Sequence, residues 1–237
     1  MPTILPDIPQ VEQAIIEMTN TYRAGHKLGA VAPSPALTAA AKAFADYLAR
    51  TDRFAHDADG RSHADRVAAA GYDYCEVSEN LARSLDPKGF ESRALARITV
   101  EGWLNSPGHR HNIEADNVTD IGVAVARVPD AHPKFVVVQL FGRPRTLAFD
   151  VQIANSTGGA LTYLFGSERH QLPASMAATH TTCAPTRVTF PELADKARGP
   201  SDDDPNTYMA RSEQVFVVTK ARNGRPAVRV EPRRRIE

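Results

Sequence analysis

Two cysteines in 237 residues, Cys75 and Cys183, are too few to staple a small disulfide-built fold. Their separation leaves a pairing open, and two free thiols equally so. Net charge is also missing: 28 Lys and Arg stand against 28 Asp and Glu, so no long-range field recruits nucleic acid or an anionic membrane. No apolar run approaches the ~18 residues of a membrane span. The opening MPTILPDIPQ has neither a basic n-region nor a long apolar h-region. The chain therefore either stays inside the cell or begins after a removed leader. No internal repeat is present, and tryptophan occurs once, at Trp103. What is plentiful is apolar residue, 42% of the chain, enough for a buried core and against global disorder.

Periodicity organises the first 145 residues into helices followed by strands. In VEQAIIEMTNTYRAGHKLG the apolar Val11, Ile15, Met18 and Tyr22 recur at helical spacing. PSPALTAAAKAFADYLARTDRF repeats the pattern with Leu37, Ala41, Phe44 and Leu48, behind Ser34 as cap and Pro35 in the first turn. SHADRVAAAG predicts a short helix capped by Ser62 and ended by Gly71. DPKGFESRALARITVEGWLN predicts a fourth, opened by Asp86 and Pro87 and broken at Ser106-Pro107-Gly108. IGVAVARV and KFVVVQLFG follow as strands, close enough across PDAHP for an antiparallel hairpin. Helices that must cover strands give a layered α/β domain.

Beyond GRPRT (142–146) strands take over. AFDVQIANSTGGALTYLFG reads as two strands around an Asn-Ser-Thr-Gly-Gly turn. EQVFVVTKARNGRPAVRVEP reads as a hairpin around Asn223-Gly224. DKARGPSDDDPNTY has the composition of an exposed loop. Residues 147–237 thus form a small all-β module after a domain at 8–145. Three local patterns in it carry little chemistry. HTTC (180–183) lacks the further ligands of a structural metal site. NST (155–157) fits a glycosylation acceptor but also supplies a hairpin turn. The arginines of EPRRRIE read as a solvated end.

Histidine is the informative ionisable type, as a neutral ligand or as a proton carrier near neutral pH. Of eight, His26 and His132 fall in surface positions, and His170 and His180 belong to the β module. His56 and His109 lie at predicted element ends, where side chains converge while the backbone stays anchored. His63 falls inside the short helix. His111, two residues past His109, faces away from it if the segment is extended. Ser78 beside Glu79, and Ser106 three residues before His109, suggest a serine nucleophile, but no base or oxyanion site is visible for either.

FAH (54–56), SENLA (78–82), Trp103, SPGHRHNI (106–113), DIGVAVA (120–126) and VVVQLFG (136–142) follow in one order. Together they resemble the CAP superfamily, the SCP-like domains of pathogenesis-related and cysteine-rich secretory proteins. The bacterial branch, with its GEN and SPGHRxNI elements, is most similar. The resemblance covers roughly residues 8–145 and implies an α-β-α sandwich with a central cleft, exported from the cytoplasm to the periplasm or outside. In many members two histidines and two acids line that cleft and hold a divalent cation. Matched residue by residue, the histidines are His56 and His109, and the first acid is Glu79, with Ser78 where the family has glycine. The second acid has no counterpart: Leu104-Asn105-Ser106 follow Trp103, and Glu101 precedes it.

Two imidazoles and one carboxylate with open positions suit Zn²⁺ or another divalent cation better than Mg²⁺. The competing reading has Glu79 orient the imidazoles by hydrogen bonds in a metal-free polar cleft. Arg110, if turned inward, repels a cation and favours an anion. Gln139 either ties its strand to the cleft or touches a ligand. The functional expectation is an extracytoplasmic binding module for a small molecule, lipid, peptide or cell-wall fragment, with ligand contacts at His56, Glu79, His109, Arg110 and Gln139. The alternatives are a metal-assisted hydrolase with Glu79 or bound water as base, and an envelope interaction protein acting through the β module.

Overall fold

The computed structural model describes residues 3–191, 206–220 and 226–232. The chain divides into two compact units, Met1–Thr146 and Leu147–Glu237. The first carries α1 (Ile8–Gly25), β1 (Ala32–Pro33), α2 (Pro35–Thr51), α3 (His63–Ala69), β2 (Tyr74–Leu85), α4 (Ser92–Leu104), α5 (Pro107–Glu114), β3 (Asp120–Val128) and β4 (Lys134–Pro144). Its sheet has the order β1-β3-β4-β2, which leaves β2 on a free edge.

Helix starts follow local chemistry. Ser34 accepts a hydrogen bond from the Leu37 N–H, with Pro35 at the first helical position of α2. Ser62 and Asp65 close a reciprocal capping box on α3, and Gly71 beyond it takes φ +82°. The two long central strands then feed two cores at once. Ile121, Val123 and Val125 of β3 and Phe135, Val137 and Phe141 of β4 pack with Val11 and Ile15 of α1, Leu95 and Trp103 of α4 and Ile113 of α5. The alternate residues, Ala124, Ala126 and Val128 with Val136, Val138 and Leu140, pack with Leu37, Phe44 and Leu48 of α2 and Val67 of α3. A period of two turns consecutive side chains to opposite faces, so unbroken apolar runs mark strands covered on both sides. The result is the α-β-α sandwich expected. At Gly122 an added Cβ would meet the Leu37 carbonyl carbon at 2.3 Å, so α2 lies directly on β3 there.

The structure differs from the sequence expectation at three places in this unit. The fourth helix starts at Ser92, not Asp86, because residues 88–90 pair with the N-terminal segment. Ile4 N–H donates to Lys88 O and Phe90 N–H to Ile4 O, with Gly89 at φ +81° between them. Ser-Pro-Gly ends α4 but opens α5, since proline is tolerated at a first helical position where its missing N–H costs nothing. β2 is a long strand that period alone did not reveal, because its edge alternates weakly between polar and apolar residues. The sequence left two states open for the cysteines, and in the structure neither is a free thiol: Cys75 and Cys183 are both disulfide-bonded.

The second unit holds β5 (Phe149–Ser156), β6 (Leu161–Phe165), β7 (Glu168–Leu172), β8 (Ala177–Thr182), β9 (Thr186–Thr189), β10 (Thr207–Ala210), β11 (Gln214–Lys220) and β12 (Pro226–Pro232). They form sheets ordered β10-β9-β6-β7 and β12-β11-β5-β8 around Val151, Ile153, Tyr163, Phe190, Phe216 and Val218. β11 and β12 pair as the expected hairpin, with Asn223-Gly224 outside the described residues. Most of the expected loop at 195–208 and the arginines of the terminal EPRRRIE also lie outside them. β5 and β6, however, are not a hairpin: they enter different sheets. Buried Asn155 makes the corner, its amide donating to Gly159, Leu172 and Pro173 carbonyls.

His180 in this unit receives the Tyr163 hydroxyl at 2.7 Å and stacks on Phe165. Burial, then the charge of His170, holds it below the ordinary histidine range, with Glu168 pulling the other way. The fold therefore favours neutral His180, and its contribution is complete above the unfolded value of about 6.5 and is lost as pH falls below that. Acidification from about pH 7.5 to about pH 5 is expected to lower the unfolding midpoint of the wild type more than that of His180→Gln. Equal slopes in denaturant titrations would contradict this origin.

Candidate functional site at the sheet edge

Consecutive residues of the edge strand β2 turn to opposite layers. Glu79, like Leu81, faces the α2–α3 layer, whereas Asn80 faces α1, α4 and α5. Glu79 is buried, its side chain 1% exposed, and both carboxylate oxygens are engaged. Oε1 is 2.8 Å from His56 Nδ1, and Oε2 accepts from Arg66 Nη2 at 2.8 Å. Arg66, 3% exposed, is itself fixed from every side. It donates to Asp59 Oδ1 at 2.9 Å and to the carbonyls of Arg61 and His56, and its guanidinium lies 3.5 Å over the Phe44 ring. One arginine thus neutralises the buried carboxylate and holds the loop that carries His56.

On the other layer a chain of buried amides fastens α5 to the same strand. Asn80 donates to the His109 carbonyl at 3.2 Å and to Gln139 Oε1 at 3.0 Å, and accepts from Asn112 Nδ2 at 2.9 Å. Asn112 also donates to the Glu79 carbonyl, and Gln139 donates to Thr19 Oγ1 of α1. The far end of α5 is capped by fully buried Arg23, whose Nη1 donates to Ile113 and Ala115 carbonyls at 2.7 and 2.8 Å. Trp103 closes the arrangement by donating its indole N–H to Leu81 O at 2.9 Å, so the lone tryptophan is a core anchor.

His56 meets β2 from the α2–α3 layer through Glu79, and α5 meets it from the other layer through the His109 carbonyl. His56 keeps 55% of its side chain exposed and is hydrogen-bonded directly to Glu79. The His109 imidazole is half-buried and has no hydrogen-bond partner among the described residues. Burial first, then the neighbouring charge of His56, lowers its proton affinity below the ordinary histidine range, so it is neutral at pH 7. A carboxylate oxygen accepts, so in its contact with Glu79 the His56 Nδ1 is the donor.

The remaining expected residues take other roles. Arg110 is exposed and turns to Glu114 of its own helix at 4.0 Å and to Leu104 O, not to Glu79. Gln139 is fully buried and ties strand to strand and α1. Glu101 pairs with Arg97 on the exposed face of α4. His111 sits two residues from His109 on a helix rather than an extended strand, and two residues are ~200° of helical rotation. Ser78 Oγ is buried without a hydrogen-bond partner, so no base activates it. Arg66, Asn80 and Thr19 were not singled out from sequence. A lone arginine inside the VAAA face of a short capped helix was the signal for the first.

The family-model match agrees with this architecture: residues 16–141 match the CAP model, the Cysteine-rich secretory protein family. That is over half of the chain, and the chain belongs to the CAP family. Among curated proteins it is 28% identical over 113 residues to Bacillus subtilis YkwD, 47% of this chain and 41% of that protein. It is 27% identical over 117 residues to the B. subtilis membrane protein YlbC, 49% of this chain and 32% of that one. The chain thus spans less than half the length of these relatives. A solved SCP-domain extracellular protein of Bacillus anthracis is 28% identical, with a TM-score of 0.47 over 57% of this chain and 41% of that one. An outer surface protein of Borrelia burgdorferi is 21% identical, with a TM-score of 0.49 over 57% of this chain and 94% of that one.

The divalent cation implied by the resemblance does not fit this donor set as a three-ligand centre. Both Glu79 oxygens are spent, and the Arg66 guanidinium 2.8 Å away opposes a second positive charge. Among the described residues no group of three His, Cys, Asp or Glu side chains is arranged to hold a metal ion. Two imidazoles alone fall short of the usual three protein ligands.

Removing Arg66 leaves a buried carboxylate unpaired, which costs about 3–5 kcal/mol where the pair is fully desolvated. Arg66→Met is expected to lose stability on that scale, and Arg66→Met/Glu79→Leu to recover most of it, measured by denaturant unfolding. Additive losses would show that the pair does not act as a unit.

Proposed function

We propose that this chain is an extracytoplasmic CAP-family binding module whose sheet-edge site, His56 and His109 above Glu79, receives a ligand through hydrogen-bond donors. The observation that carries the reading is Glu79 itself. It is buried, neutralised by Arg66, and bonded to Nδ1 of a half-exposed imidazole. In the tautomer with its proton on Nδ1, His56 presents an Nε2 lone pair, and His109 is a second imidazole whose proton affinity burial lowers. Hydroxyl and amide N–H groups, the chemistry of a cell-wall glycan or peptide fragment, match two such acceptors. A hydrolase is less well served, because Glu79 has no free oxygen with which to take a proton.

Two observations support a location outside the cytoplasm. The family is the cysteine-rich secretory one. Both cysteines are disulfide-bonded, which suits an oxidising compartment. Among the described residues no helix is long and apolar enough to cross a membrane.

The test is calorimetry on the full chain with a soluble muramyl dipeptide–disaccharide fragment, and with Zn²⁺ alone. Fragment binding is expected to fall about tenfold, ~1.4 kcal/mol, in His56→Ala and in His109→Ala. Equal binding by wild type and the double variant contradicts the reading. Zn²⁺ is expected to bind weakly, and a tight stoichiometric site lost in the same variants would restore the metal centre.

A further inference from the structure

The α2–α3 layer carries a second concavity that the edge site does not use. A groove of about 510 Å³ runs between these helices, within the range of small-molecule pockets. Its walls are small: Ala39 and Ala43 of α2 and Ala69 of α3 are exposed there, where longer side chains would have filled the space. Tyr47 supplies aromatic surface along one wall, while Phe44 lies buried behind it under Arg66.

The charge lining it is unbalanced. Arg50, Arg61 and Arg66 all reach the groove. Asp59 is shared between Arg61 at 3.3 Å and Arg66 at 2.9 Å, and Glu79 takes the other arm of Arg66. Arg50 lies 5.6 Å from the Tyr47 ring centroid and has no carboxylate within 4.0 Å among the described residues. Arg66 Nε is buried with no acceptor. Asp59 and Glu79 answer buried Arg66, and Asp59 with the nearby charge of Asp65 answers Arg61, so the cation left over at the groove is Arg50 on its rim.

The geometry points to this groove as a binding site for an amphipathic organic anion, a single carboxylate or sulfonate on an aromatic or other apolar body. The apolar body lies along Ala39, Ala43, Tyr47 and Ala69, and the anion meets Arg50 at the rim. The site is distinct from the edge-site proposal: the two share Arg66 and the residues that hold it, Phe44, Asp59 and Arg61, but not His56 or His109, and ligands of opposite hydrogen-bonding character distinguish them.

Titration of the full chain with 8-anilinonaphthalene-1-sulfonate, read by fluorescence, tests this. Wild type is expected to bind saturably at one site. Arg50→Glu is expected to lose affinity about tenfold, and Ala43→Trp, which fills the groove from an exposed position, to abolish binding. Gln13→Trp, on the opposite layer, is expected to change nothing. The uncharged analogue N-phenyl-1-naphthylamine is expected to bind about tenfold more weakly and to be indifferent to Arg50→Glu. Dye binding that survives both Arg50→Glu and Ala43→Trp overturns the site. Equal affinity for the neutral analogue overturns the anion.

Discussion

A carboxylate placed where water cannot reach it has to be answered by protein, and in this fold Arg66 answers Glu79. The pair joins the edge strand β2 to α3, and through Asp59 and the His56 carbonyl it also joins the loop between α2 and α3. Such pairs add little net stability compared with apolar residues of the same volume, yet breaking one is costly. Its use here is positional. With one oxygen given to arginine, the other is free to set the orientation and the proton of a single imidazole.

The opposite layer solves a related problem without charge. Thr19, Gln139, Asn80 and Asn112 come from α1, β4, β2 and α5, and each amide finds its partner in the next. Buried amides left unpaired would each cost about 1–3 kcal/mol, so this chain holds α5 in one place or not at all. Because Glu79 and Asn80 are neighbours on a strand, the two networks work on opposite faces of one short segment. The segment thereby holds the His56 ring on one face and the backbone of the His109 turn on the other.

Much of this was legible in the sequence where one signal dominated. Capping residues at Ser34 and Ser62, the apolar runs of β3 and β4, and the helical stripe of α1 each carry their own explanation locally. The ordered short motifs pointed to the family, and with it to His56 and Glu79, which the structure brings into hydrogen-bond contact. What stayed hidden depended on partners remote in the chain. Nothing near Arg66 announces Glu79, and nothing near Asp86 shows that Ile4 holds the following turn out of the helix. Pro107 read as a break because proline stops one helix and starts the next with the same chemistry. The β5–β6 segment has the right residues for a hairpin turn, but buried Asn155 spends them on a corner between sheets.

The central claim is that a carboxylate held by Arg66 dictates which nitrogen of His56 carries the proton. Nitrogen-15 NMR of selectively labelled histidine reads this directly from the two ring-nitrogen shifts. The account predicts the Nδ1–H tautomer for His56, with Nε2 unprotonated. A predominant Nε2–H tautomer would mean that Glu79 does not accept from this ring, and the proposed acceptor site would be lost with it.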